Sequence, residues 1–185
     1  MMLRQTMLMY SHRFVCGIQL STTISKKEIL LITLQDYTTK QIRTWGLGAF
    51  NNKQENVIYK SFKSEYELLN DFINWWMIED NTPEVITGWN SKLYDIPYLC
   101  RRIDRILGEK LKKRMSPWGL VTEEETFIAG RKHISYDIGG VSQLDYLDLY
   151  KKFTYKAQES YRLDYIANVE PVSYTHLTLP TKRIV

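Results

Sequence analysis

Three observations predict an α/β fold, a mixed sheet flanked by helices, for these 185 residues. Short apolar runs of strand type alternate with longer stretches of helical periodicity. A capping signal opens one helical stretch, and Pro97 marks the start of another. Two strand-type segments joined through Ala129-Gly130-Arg131 predict a β-hairpin inserted between sheet elements.

The elements follow in chain order. Residues 28–35 (EILLITLQ) form a near-continuous apolar run, the pattern of a buried strand. Asp36-Tyr37-Thr38-Thr39 is turn-like, and residues 41–46 and 57–62 supply two further strands. Ser64-Glu65-Tyr66-Glu67 has the form of a capping box. The helix after it carries Leu68, Leu69, Phe72, Ile73, Trp75 and Trp76 on a broad apolar face. Asn81-Thr82-Pro83 ends that helix, and a strand over 84–88 follows. A helix expected over 97–115 repeats Leu99, Ile103, Leu107 and Leu111 every four residues, with Ile106 beside them. Its other faces hold Arg101, Arg102, Arg105, Lys110, Lys112, Lys113 and Arg114. The hairpin spans 121–136, Gly139-Gly140 lead through Val141 into residues 144–153, and a last helix covers 160–168.

Composition excludes several classes. A hydrophobic fraction of 44% with five Trp fits a globular chain rather than a disordered one. No run approaches the roughly 18 apolar residues of a membrane span, and no signal peptide is expected. Cys16 and Cys100 make neither a disulfide framework nor a zinc motif, so a reducing cytoplasm is expected. With three His in the chain, any metal ligands are expected to be carboxylates. The net charge of +4 resides at the ends. Residues 1–27 hold four basic and no acidic side chains, and residues 171–185 hold two basic and none acidic. The other 19 basic and 21 acidic residues leave the middle slightly negative.

The segment from Val85 to Tyr98 is the most informative. Val85-Ile86-Thr87 reads as a strand closing at Gly88, and Asp95 precedes Pro97 by two residues. That sets a carboxylate at the C-terminal mouth of a strand, where α/β sheets build their sites. One carboxylate does not hold two metal ions, so its partners must come from elsewhere.

Taken with Arg102-Ile103, Leu107-Gly108-Glu109, Lys113-Arg114-Met115-Ser116-Pro117 and the block from Leu144 to Phe153, this segment resembles a known family. It is similar to the 3′–5′ exonuclease domain of family B DNA polymerases of T-even-like phages and their relatives. Asn90…Tyr94-Asp95 looks like the family's second exonuclease motif. The resemblance implies an incomplete ribonuclease-H-like (DnaQ-like) exonuclease fold. It also implies proofreading, the metal-assisted removal of a mispaired nucleotide from a primer end. Two Mg²⁺ or Mn²⁺ ions would stabilise the attacking hydroxide and the leaving 3′ oxygen, and hard cations take carboxylate ligands. Asp95 matches the second-motif ligand and catalytic residue. The family draws an Asp and a Glu from an Asp-Ile-Glu-like first motif on the opening strand, and a Tyr and an Asp from a third motif. Implied partners are a DNA primer-template with a single-stranded 3′ end, a sliding clamp and other replisome proteins, in the cytoplasm of a bacterial host.

Around Asp95, the resemblance places Asn90 near the primer end. Trp89 and Tyr94 suit either stacking on unpaired bases or core packing. Arg101 and Arg105 on the basic helix face suit either a phosphate backbone or solvent. The hairpin resembles one that parts primer from template, although Glu123-Glu124-Glu125 repel phosphates. Asp145 and Asp148 are further candidates for metal ligands, but the block they fall in is structural in the family, and Cys100 reads as a packed thiol.

Both ends depart from the family. Residues 1–27 contain no Asp or Glu, and four of the six Met lie among the first nine residues. Residues 1–25 are therefore expected to be non-native or out of frame, leaving the sheet without its opening strand. Residues 171–185 resemble the translation of a transposase-type sequencing-library adapter. The partial exonuclease domain is thus expected over 26–170, without first-motif acids or a third motif, and without nuclease activity. A non-catalytic ribonuclease-H-like module that binds single-stranded DNA is the alternative.

Overall fold

A computed structural model describes residues 15–22, 28–51, 54–128 and 130–170. The described residues begin with four strands, β1 (Val15–Thr22), β2 (Ile29–Asp36), β3 (Ile42–Leu47) and β4 (Val57–Phe62), followed by helix α1 (Glu65–Trp76). Strand β5 (Val85–Gly88) leads to α2 (Asp95–Leu107) and the short α3 (Glu109–Lys112). Strands β6 (Val121–Ile128) and β7 (Arg131–Ile138), then β8 (Ser142–Asp145), α4 (Tyr146–Phe153) and α5 (Leu163–Val169), complete the order.

Six strands form one mixed sheet in the order β4-β3-β2-β1-β5-β8. Strands β1 and β5, and β5 and β8, run parallel, whereas β1–β2 and β2–β3 are antiparallel. The opening strand expected to be missing is therefore present: β1 lies between β2 and β5 and completes both ladders. Residues 1–14 and 171–185, which hold most of the two end segments expected to be foreign, lie outside the described residues.

The core fills from both sequence patterns. Ile29, Ile32 and Leu34 of β2 and Trp45 of β3 meet Leu68, Leu69, Phe72, Ile73 and Trp76 of α1. Ile96, Leu99, Cys100 and Ile103 of α2 join the same cluster. Trp45 packs edge-on against Phe72, ring centroids 5.3 Å apart. Its indole N–H donates to Asp71 at 2.8 Å, and that of Trp76 donates to the Met115 carbonyl at 2.8 Å. Burial thus leaves neither ring nitrogen unpaired.

Two helix expectations need correction. The Ser64 hydroxyl caps α1 by accepting the Glu67 N–H at 3.3 Å, but Glu67 reaches back to the Lys63 N–H, one residue before the expected partner. The helix expected over 97–115 breaks at Gly108, whose φ of 90° is open to glycine, and whose N–H caps the carbonyls of Ile103 and Asp104. Beyond the break, Lys112 pairs with Asp104 and Lys113 with Glu109, so the seven basic residues do not make one continuous face.

The hairpin forms as expected. Ile128 pairs with Arg131 across a two-residue turn, and Gly130 takes a φ of 74° there.

Candidate functional site

The parallel strands β5 and β8 end side by side, with Gly88 opposite Asp145. Past Gly88 the backbone turns sharply at Asn90, whose φ of 64° is left-handed, a conformation Asn tolerates better than most residues. The Asn90 carbonyl accepts the Tyr94 N–H at 3.0 Å, and the Ser91 carbonyl accepts the Ile96 N–H at 3.0 Å. These bonds wind the chain directly into α2.

Asp95 is the first residue of α2, and only 2% of it is exposed. An anion in the first helical turn is favoured by the aligned peptide dipoles. Pro97 stands third in the helix rather than first. This costs no hydrogen bond, because the first four N–H groups of a helix have no intrahelical acceptor.

Asp145 holds the turn from the other side. Its Oδ1 accepts the N–H of Asn90 at 2.8 Å and of Leu147 at 3.0 Å, and its Oδ2 accepts the N–H of Lys92 at 3.1 Å. Burial raises its pKa above the ordinary carboxylate value, and the three N–H donors pull the other way. Both oxygens are engaged by backbone, so Asp145 acts as cap and clasp. Asp148 lies exposed in the first turn of α4.

The remaining candidates separate. Trp89 is 2% exposed, donates its indole N–H to the Tyr161 carbonyl at 3.0 Å, and packs on Tyr146 and Tyr150. Of its two readings, core packing holds; a ring so enclosed has no face for a base. Tyr94 is 43% exposed and stacks on Tyr98 with an interplanar angle of 11°. Arg101 and Arg105 are exposed on α2. Arg102, grouped with them by sequence, instead turns inward to Glu65. A cleft beside the turn is lined by Lys92, Trp118, Asp137 and Gln143.

Sequence reasoning missed Glu65 as a buried acid, because a Glu in a first helical turn normally faces water. It read Asp145 as part of a structural block but not as the clasp of the turn, because the Asn90 and Lys92 donors lie far from it in sequence. Among the described residues, no group of three or more His, Cys, Asp or Glu comes together in a way that could hold a metal ion, and none of the helices is long and apolar enough to cross a membrane.

Residues 15–166 match the profile of the DNA polymerase family B, exonuclease domain. The chain is 42% identical over 118 residues to the DNA-directed DNA polymerase of Escherichia phage RB69, covering 63% of this chain and 13% of that protein. It is 44% identical over 117 residues to the DNA-directed DNA polymerase of Enterobacteria phage T4, with the same coverage. It is also 33% identical over 122 residues to the DNA polymerase catalytic subunit of Human herpesvirus 6A, covering 63% of this chain and 12% of that protein. The chain thus spans about an eighth of the length of these relatives. The matched span starts at residue 15, inside the segment expected to be foreign.

Proposed function

The chain belongs to the family of family B DNA polymerase exonuclease domains, and on that premise we propose that it is part of a proofreading polymerase in which Asp95 is a ligand of the exonuclease cation centre. The observation that carries this reading is the placement of Asp95. A buried carboxylate opens a helix at the C-terminal end of two parallel strands, directly after a turn clasped by Asp145. Such a centre uses Mg²⁺ or Mn²⁺ to activate water and to stabilise the leaving 3′ oxygen.

The donors among the described residues do not fit a two-cation centre. Hard divalent cations need several oxygen ligands in fixed positions, and the described residues bring no such group together. In this reading the chain as it stands holds the 3′ end without cutting it. In this reading the exposed Tyr94 stacks on an unpaired base, Asn90 lies near the primer terminus, and Arg101 and Arg105 attract the phosphate backbone. A sliding clamp and other replication proteins would engage the polymerase elsewhere, in the cytoplasm of a bacterial host.

Incubation of the purified chain with a 5′-labelled single-stranded oligonucleotide and Mg²⁺ tests this. Binding without shortening is expected. Robust shortening that Asp95→Ala abolishes would overturn the claim that this chain does not cut.

A further inference from the structure

Strand β1 enters the sheet beside β5, with Val15, Cys16 and Gly17 opposite Val85, Ile86 and Thr87. Two residues further, β1 has passed its last partner on β5. There it stays paired with β2 and extends past the end of β5, the end from which the chain leaves Gly88 for Asp95. Alternation along a strand puts positions 17 and 19 on one face. The one isoleucine of β1 is Ile18, between Gly17 and Gln19, and the family match begins at residue 15, at the start of this strand.

An Asp-Ile-Glu-like segment on the opening strand suits a cation centre for a geometric reason. Two acids separated by one residue share a strand face, and a parallel neighbour brings them beside the acid that follows its own end. Gly17-Ile18-Gln19 keeps the spacing and the central isoleucine while removing both charges. We infer that Gly17 and Gln19 stand at the two first-motif ligand positions, so that this chain keeps the strand and Asp95 of the cation centre but lacks its two opening carboxylates. This deepens the proposed function and rests on its assignment of Asp95.

The chemistry follows from the two replacements. Glycine supplies no side-chain donor. Glutamine offers a neutral amide oxygen, a far weaker partner than carboxylate for a hard divalent cation. The missing opening charges then lie in two side chains rather than in an absent strand, and cation affinity is recoverable by restoring them.

Mn²⁺ is a suitable probe, with the free ion counted by electron paramagnetic resonance. It is titrated into the full chain, into Gln19→Glu, into Gly17→Asp/Gln19→Glu, and into the double variant carrying Asp95→Asn as well. The double variant is expected to bind Mn²⁺ at least about tenfold more tightly than the unmodified chain, since cation affinity follows the number of charged ligands. Gln19→Glu, nearly isosteric, is expected to give a smaller gain, and it decides the matter if thermal melts show that Gly17→Asp does not fold. Asp95→Asn is expected to remove the gain. No gain in either restored variant, a gain that survives Asp95→Asn, or equally tight binding by the unmodified chain would overturn the inference. Shortening of DNA by the unmodified chain is read in a separate assay, so failure of the functional reading is distinguishable.

Discussion

Glu65 and Arg102 form a buried ion pair that ties the start of α1 to α2, and the same carboxylate accepts the backbone N–H of Ile29 at 2.9 Å. Their side chains are 5% and 12% exposed, so water screens the pair weakly. The hydrogen bond to Glu65 is the main cause that raises the pKa of Arg102. One acid thus joins two helices and the second strand.

The two single truncations are expected to differ. Arg102→Ala leaves the Glu65 carboxylate with the Ile29 N–H, whereas Glu65→Ala strands both a guanidinium and an N–H. Breaking a buried pair from one side costs about 3–5 kcal/mol, and an orphaned N–H adds about 1–3 kcal/mol. Urea unfolding is expected to rank Glu65→Ala as the less stable variant; equal midpoints would show that the Ile29 bond contributes nothing.

Trp89 and Tyr94 are expected to part in the same way. Trp89→Ala removes a ring enclosed by Tyr146, Tyr150 and the Tyr161 carbonyl and is expected to cost about 3–5 kcal/mol. Tyr94→Ala is expected to change the thermal midpoint little. It is expected to weaken single-stranded oligonucleotide binding by about tenfold, within the range of one base–aromatic stack. Fluorescence anisotropy checks this, and the pattern fails if Tyr94→Ala binds as well as the parent chain.

Much of this architecture is legible in the sequence because its signals are local. The strand runs at 28–35 and 57–62, the Ser64 cap and the Gly130 turn each depend on neighbours within a few residues. The helix break at Gly108 was not legible, since Leu107 and Leu111 keep their four-residue spacing across it. The inward turn of Arg102 depends on Glu65, 37 residues away. The role of β1 is obscured for a different reason: its eight residues carry no Asp or Glu, so no charge marks the strand. It is recognised instead by its place in the ladder, between β2 and β5.

Alkaline pH is expected to loosen the fold in a defined window. Burial pushes the Cys100 thiol from 9.0 up to about 12. Burial and then the hydrogen bond to Glu123 push the Tyr136 phenol from 10.0 up to about 12. In both, the neutral form is favoured by folding, so its contribution is complete below the unfolded-state pKa. That contribution is lost as pH rises, from about 9 to 12 for Cys100 and from about 10 to 12 for Tyr136. Thermal midpoints measured across pH 8–12 are expected to fall over that window, and less steeply in Tyr136→Phe. Near pH 8 the native Cys100 is expected to resist alkylation and to react only in urea, as peptide mapping by mass spectrometry would reveal.

Asp145→Asn tests the clasp on the turn before Asp95. The carboxylate uses Oδ1 for Asn90 and Leu147 and Oδ2 for Lys92. An asparagine keeps one acceptor oxygen but turns a donor NH₂ toward a second N–H, so at least one bond must break. Bonds to a charged acceptor contribute about 1.5–3 kcal/mol each, so exchange of the Asn90 or Lys92 amide is expected to accelerate by about tenfold or more. The amide and carboxyl-carbon chemical shifts of Asp95 are expected to move with it, because the Asn90 and Ser91 carbonyls set the first turn of α2. Asp148→Asn removes an exposed charge from the first turn of α4 and is expected to leave both signals in place. Equal shifts in the two variants would assign the effect to long-range charge. Unchanged exchange in Asp145→Asn would show that the turn keeps its shape without the clasp.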